Sequence, residues 1–516
     1  MISEQHTFYN FINRKISFAL FWIVLSFIYA AVFVTVEFAG FPASGFKAYL
    51  DYAFQWCVVS CAASMLIGLL SVSRLIFSIF FPVLLILSST AAYFRITMGL
   101  AITPALIEVT LINDFSTWAQ VISLPLVLLL ILQLVIAGAI VWYRWKRVSN
   151  PPLPLVWLVV FAFGVLSPVY LIKRIQFPVC TRIPYSFIYS TREWYSNRSK
   201  ATSQRDTYLT TSAIPAADSP DVILVIGESL RADHLQLNGY HRATTPNLAA
   251  DSSVISLPNV ITRYFVTHIS VPHILTRENP DDDNAAFSEQ SFITLFKKAG
   301  YRTAWISNQD QVPTYAYFMH EGDTLIQCNT ARDLYFHGKW TDDIMIQPFE
   351  EWIGRDNRKS LTILHTIGSH WWYPSHYPDS LAKFKPEVNS RIFSELSSEQ
   401  LNNSYDNTIL ATDLFLSSLI SRLKNRNAIL IFISDHGEGL GEDGVYMHPY
   451  DHPSTRNVAC LVWTSDIYKQ SHGDKVSNLK GNRNNDYTTS AIFHSVLDGA
   501  GISTAVCDTT MSFFSK

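Results

Sequence analysis

Apolar residues fall in two regimes along the chain. Up to about residue 173 they run in long blocks, at about 16–38, 52–71, 75–94, 119–143 and 154–172, each nearly free of charge. A bilayer-spanning helix needs roughly 20 such residues, so the pattern predicts five membrane helices. Five helices buried in a soluble core are the alternative, but too little chain remains to cover them. From residue 221 the apolar runs shorten. DVILVIG, YRTAWIS, SLTILHTIG, NAILIFIS and NVACLVWTS read as buried strands. FITLFKKAG and YDNTILATDLFLSSLISRLKNR carry helical periodicity, the first ended by a glycine. Strand–helix alternation with continuously apolar strands predicts a mostly parallel sheet covered on both faces. In such sheets ligands bind at the carboxyl ends of the strands.

Three regions follow: 1–173 in the membrane, 174–219 as a bridge, and 220–516 as an α/β domain. The bridge, RIQFPVCTRIPYSFIYSTREWYSNRSK, mixes aromatic and basic residues, which suits a membrane–water interface or a linker. Composition sharpens this reading. The 516 residues are 49% hydrophobic and only 16% charged, low for a soluble protein. A net charge of −3 gives no reason to expect nucleic acid. Arg14, Lys15, Arg74, Arg144, Lys146 and Arg147 fall on one side of the membrane if the N-terminus is cytoplasmic. The domain after the fifth span then lies outside the cytoplasm. Lys173 and Arg174 run against this count. The first span lacks a cleavage pattern and reads as an uncleaved anchor. Cys57 and Cys61 read as small packing residues within the second span. Cys180, Cys328, Cys460 and Cys507 are available for disulfides whose pairing the sequence leaves open.

The chemistry gathers at predicted strand ends. DVILVIGES ends in Glu228 and Ser229, where Glu228 reads as a solvated loop acid, a general base or a metal ligand. ILIFISDHGEG ends in Asp435 and His436, and Gly437 permits the sharp turn that lets both reach one ion. Aspartate and neutral histidine suit zinc. His370 in HTIGSH and His448 in YMHP fall in other loops. Three histidines and two carboxylates at strand ends favour a metal site over separate surface residues. In NVITRYFVTHISVPHILT, Thr267 and Ser270 are the hydroxyl candidates for a nucleophile, and a bound zinc would lower the pKa of such a hydroxyl.

VIGESLRADHLQLNGYHRATTPNL, THISVP, HTIGSH, YDNTILATD and SDHGEGLGEDGVYMH together resemble the bacterial phosphoethanolamine transferases of the alkaline phosphatase/sulfatase-like superfamily. That family includes lipid A-modifying and mobile colistin-resistance enzymes. The resemblance implies five spans in the inner membrane and a periplasmic alkaline-phosphatase-like domain. It implies a tightly bound zinc, with a second one open, at Glu228, Thr267, Asp435 and His436, with Thr267 as nucleophile. His370 and His448 match positions that hold phosphate, a second zinc or the leaving group. The implied donor is phosphatidylethanolamine, and the implied acceptor is lipid A, a lipopolysaccharide core sugar or another envelope glycan. A monomer among membrane lipids is expected. The chain also departs from the family. Tyr264-Phe265 and His273 stand where lipid A-modifying members carry cysteines around the nucleophile. Ser307–Gln311 replace an Asn-Asn-Ser stretch, with no lysine after it. The loop 106–118, where members contact the donor headgroup, matches poorly and offers Glu108, Asn113 and Asp114. A glycerophosphate transferase of the lipoteichoic-acid type would favour manganese, which suits a histidine-rich set less well than zinc. A sulfatase would need Cys/Ser-x-Pro-x-Arg, and Ile274 stands in place of that arginine. A water-using phosphodiesterase is the third alternative, and a non-catalytic membrane sensor would have lost metal positions that are all filled here.

Overall fold

A computed structural model of the chain describes residues 16–38, 45–98, 101–104, 106–107, 111, 124–170, 173–201, 204–277, 282–329, 338–356, 358–390, 396–448 and 451–516. Glu108, Asn113 and Asp114 lie outside the described residues. The chain divides into two compact units between Trp194 and Tyr195.

In the first unit, helix α1 begins at Phe18, passes through a π-turn at Ala30–Val34 and ends at Glu37. It is followed by α2 (Phe46–Val72), α3 (Arg74–Met98) and α4 (Leu124–Arg147). By length and composition these four can cross a membrane. The fifth expected span is an apolar helix, α5 (Pro154–Tyr170), of 17 residues. That is shorter than the other four and at the lower end of the roughly 17–25 residues of a spanning helix, so among the described residues length and composition single out four spans, with α5 as a further, shorter apolar helix. The basic residues do structural work at one end of this unit. The Arg144 side chain is fully buried and donates to the Ser71 carbonyl at 2.9 Å, in the last turn of α2. Arg74 donates to the Val148 carbonyl at 2.9 Å. Ile16 and Ser149 close the same end through backbone bonds. A cation at a helix C-terminus satisfies carbonyls that lack helical partners. The bridge contains helices α6 (Lys173–Cys180) and α7 (Ser186–Ala201). Val179, Ile183 and Tyr185 join the apolar core of this unit.

Cys57 and Cys61 are exposed on α2, contrary to their expected packing role, and all six cysteines are free thiols. The helix turns that face outward.

The second unit is built on a seven-stranded sheet. Its strands are β1 (Asp221–Gly227), β2 (Val254–Ser256), β3 (Arg302–Ser307), β4 (Thr324–Gln327), β5 (Ser360–His365), β6 (Ala428–Ser434) and β7 (Cys460–Thr464). Their order is β2-β7-β6-β1-β5-β3-β4. The five strands from β6 to β4 are parallel, while β7 runs antiparallel to both neighbours. Alternate side chains of β1 and β6 enter opposite cores. Val222, Leu224, Ile226, Ile429, Ile431 and Ile433 pack with α9 (Phe292–Lys298), after α8 (Thr267–Leu275) in the chain, and with α12 (Ala491–Gly499). Ile223, Val225, Leu430 and Phe432 pack with α10 (Ile346–Ile353) and α11 (Ser398–Leu423). Both faces are thus buried, which is why these strands are continuously apolar. The long helix α11 starts at a capping box, in which Ser397 and Gln400 each bond the other's backbone.

Candidate metal and nucleophile site

Register brings the first two acids together. β1 and β6 pair Gly227 with Ser434, so Glu228 and Asp435 leave adjacent strand tips. Ser229 then adopts a left-handed φ of 59°. That conformation costs a β-carbon-bearing residue of order 1–3 kcal/mol and persists where surrounding structure over-determines it. Here Ser229 N–H donates to Asp435 Oδ1 at 3.1 Å, and its hydroxyl donates to Glu228 Oε1 at 2.8 Å. Ser229 is therefore a neighbour that orients both carboxylates. α11 clamps the same loop: the Tyr405 hydroxyl donates to the Ser229 carbonyl at 2.6 Å and accepts from Arg231 N–H at 2.9 Å. One turn on, the Thr408 hydroxyl bonds Ser369 at 2.7 Å, beside His370.

Thr267 opens α8. Its Oγ1 donates to Glu228 Oε2 at 3.1 Å and lies 3.2 Å from His436 Nε2. Ser270 is occupied elsewhere. It is buried, and its hydroxyl donates to the Asp435 carbonyl at 2.6 Å, tying α8 to the tip of β6.

Glu228, Asp435 and His436 form one buried group able to hold a metal ion. His436 Nε2 stands 3.3 Å from both Glu228 Oε1 and Asp435 Oδ2. Electrostatics mark the site as built for a cation. Burial alone would lower the His436 pKa, but Asp435 and Glu228 overcome it and raise it to about 10. Burial, aided by the Glu228 charge, raises Asp435. Burial opposes ionisation of Glu228 too, yet the His436 hydrogen bond and the charges of His436, His370 and His448 hold it well below the carboxylate range. Asp435 Oδ2 is buried with no hydrogen-bond partner. A buried oxygen of this kind costs free energy unless something cationic meets it. Two carboxylates, an imidazole and a hydroxyl form a donor set that fits zinc.

Gly437 matters through space rather than through an unusual turn, since a β-carbon there would sit 2.0 Å from the Ser454 carbonyl oxygen. Gly437→Ala is expected to displace His436, lower zinc content and destabilise the domain by about 1–3 kcal/mol. Metal analysis and a thermal melt of the variant test this.

His436 also belongs to a second group, with Glu438 and His448. The His436 and His448 rings lie 4.1 Å apart, and His448 Nδ1 is 3.0 Å from Glu438 Oε2. Glu438 is buried and accepts from the Tyr373 hydroxyl at 2.9 Å. Sequence reasoning passed over Glu438, although its spacing of two from His436 places both on one side of an extended chain. His370 falls in neither group. It follows β5, where Ser369 N–H bonds the Glu228 carbonyl at 3.0 Å. Burial lowers its pKa against the pull of Glu228 and Glu438. Gln309, from the stretch that departs from the resembled family, donates through Nε2 to Glu228 Oε2 at 2.9 Å.

The family model described as Sulfatase matches residues 220–502. The phosphoethanolamine transferase EptA of Salmonella typhimurium strain LT2 is 26% identical over 545 aligned positions, covering 96% of each chain. The soluble domain of lipooligosaccharide phosphoethanolamine transferase A from Neisseria meningitidis superposes with a TM-score of 0.54 at 27% identity, over 60% of this chain and 97% of that one. The periplasmic domain of Escherichia coli EptC, solved in complex with zinc, gives 0.54 at 27% identity over 59% and 89%.

Proposed function

The chain belongs to the sulfatase family, and on that premise we propose that it moves phosphoethanolamine from phosphatidylethanolamine to lipid A or another envelope glycan. The observation that carries this reading is the Thr267 hydroxyl, within 3.2 Å of both Glu228 and His436. The kinship with named phosphoethanolamine transferases supports the choice of headgroup. Glu228, Asp435, His436 and Thr267 would hold one zinc, which supplies positive charge beside the hydroxyl and lowers its pKa.

The Thr267 hydroxyl, its pKa lowered, gives its proton to solvent water, and Oγ forms the new bond to phosphorus. The bond from phosphorus to the diacylglycerol oxygen breaks. Glu228 fixes the direction of the hydroxyl through its hydrogen bond. His448, whose Nδ1 is 3.0 Å from Glu438 Oε2, is assigned to protonate the departing oxygen. Phosphoethanolamine stays on Thr267 until an acceptor oxygen takes it, so the kinetics are ping-pong. His370, whose neighbour Ser369 bonds the Glu228 carbonyl, is assigned to the phosphate. The donor is a membrane lipid, which accords with the apolar helices of the first unit.

Incubating the full chain with a fluorescent phosphatidylethanolamine should release diacylglycerol and leave a phosphoethanolamine adduct on the protein by intact mass. Diacylglycerol release with no adduct would favour direct attack by water. Mass spectra of envelope lipids and glycans, with and without the protein, identify the acceptor. Reporter fusions after about residue 150 should be cytoplasmic and those after about residue 200 periplasmic. A cytoplasmic C-terminus would rule out the proposed orientation.

A further inference from the structure

A second cluster of side chains brackets the nucleophile segment and takes no part in the chemistry above. Tyr264 lies three residues before Thr267, and His273 lies six after it. Their rings stack, with centroids 3.8 Å apart and planes at 28°. Phe287 meets the His273 ring edge-on at 5.5 Å. Both members also reach the same residue. The Tyr264 hydroxyl donates to the Asp283 carboxylate. His273 Nε2 is 3.0 Å from the Asp283 carbonyl oxygen, while its Nδ1 is 2.8 Å from that of Ile269. The His273 ring is buried, so this contact is packed and not a passing surface encounter.

Thr267 differs from the other three site residues in its support. Glu228, Asp435 and His436 follow directly from sheet strands. Thr267 stands on α8, which the Ser270 hydroxyl ties to the Asp435 carbonyl. Its approach is fixed at the two ends, by Thr262 N–H on the Arg456 carbonyl and by the Val266 carbonyl in the first turn of α8. The Tyr264–His273 stack spans the stretch between them and joins the residues before the nucleophile to the last turn of α8. No disulfide does this, since every cysteine is a free thiol.

We propose that Tyr264 and His273 are positioning residues, a non-covalent clasp closed on Asp283 that holds the Thr267 hydroxyl between Glu228 and His436. The inference rests on Thr267 being the nucleophile. Displacing a reacting group by about 1 Å can cost on the order of 100-fold in rate, whereas substrate binding elsewhere is untouched. The clasp therefore acts on kcat and leaves KM alone.

The full chain is assayed with fluorescent phosphatidylethanolamine as wild type, Tyr264→Ala, His273→Ala, the double variant and Tyr264→Phe. Each alanine variant is expected to lose about 10- to 100-fold in kcat, with KM and zinc content near wild type. The double variant should be no worse than either single one, because both break one contact. Tyr264→Phe keeps the stacked ring and should recover most of the rate. Amide exchange over residues 264–273 should quicken in Tyr264→Ala and return to wild type in Tyr264→Phe. If the alanine variants do not accumulate, Tyr264→Leu and His273→Gln carry the same expectations. Full kcat, additive losses, a change in KM alone or unaltered exchange would each overturn the clasp. A wild type without transfer would instead overturn the nucleophile assignment, and the exchange data would still judge the clasp.

Discussion

Thr267→Ala is expected to abolish transfer, by at least about 10³-fold in kcat, while keeping zinc and fold. Glu228, Asp435 and His436 remain, and water can take the vacated position on the metal. Thr267→Ser should keep measurable activity, because the hydroxyl survives on a side chain with freer χ1. Ser270→Ala should be milder than Thr267→Ala. Its hydroxyl bonds the Asp435 carbonyl, so its loss loosens α8 without removing the attacking group. Diacylglycerol release and the mapped position of the adduct decide the matter. Undiminished turnover by Thr267→Ala, or an adduct on Ser229 or Ser270, would transfer the role to another residue.

The second large effect is loss of metal from Asp435→Ala and His436→Ala. Each removes a donor from the buried group, and zinc affinity should fall by more than about 100-fold, beyond the cost of outer-shell changes. The two variants should differ without metal. His436→Ala leaves two buried carboxylates facing one another with no cation. Asp435→Ala leaves Glu228 still paired with His436. The first should therefore be the less stable apoprotein, by about 3 kcal/mol. The raised pKa of His436 also sets a pH dependence. Through the neutral range the metal-free ring carries a proton, which zinc must displace. Affinity should weaken about tenfold for each pH unit lowered. Chelator competition at several pH values measures that slope. A flat profile, or full zinc occupancy in both alanine variants, would remove these residues from the site.

Much of this was legible in the sequence because period and position coincide. DVILVIG and AILIFIS announce strands by unbroken apolar character, and the polar residues just past them had to emerge at strand ends. That logic reached Glu228, Asp435 and His436 without knowing the order of the strands. It could not reach contacts made by return loops. Glu438 meets His448 only because the chain folds back after GEGL, and Gln309 meets Glu228 only because β5 separates their strands in the sheet. The Tyr264–His273 stack depends on the exit angle of α8, which no periodicity encodes. Hydropathy locates the apolar segments of the first unit, while helix length separates α5, at 17 residues, from the four longer ones.

The strands whose tips carry the carboxylates are distant in the chain. β1 first finds a partner in β5, where Val222 meets Leu361, 139 positions later (361 − 222). Its other neighbour, β6, begins 207 positions after it (428 − 221). Synthesis at about 5–20 residues per second leaves β1 without either for about 7–28 s. Throughout that interval Val222–Ile226 is an unpaired apolar run, and its ladder groups are open to any other extended chain. Contact order of this kind slows folding and lengthens exposure to aggregation. Chaperone demand in this protein should therefore centre on residues 221–227, and a nascent chain stalled before residue 360 should be the species most prone to association.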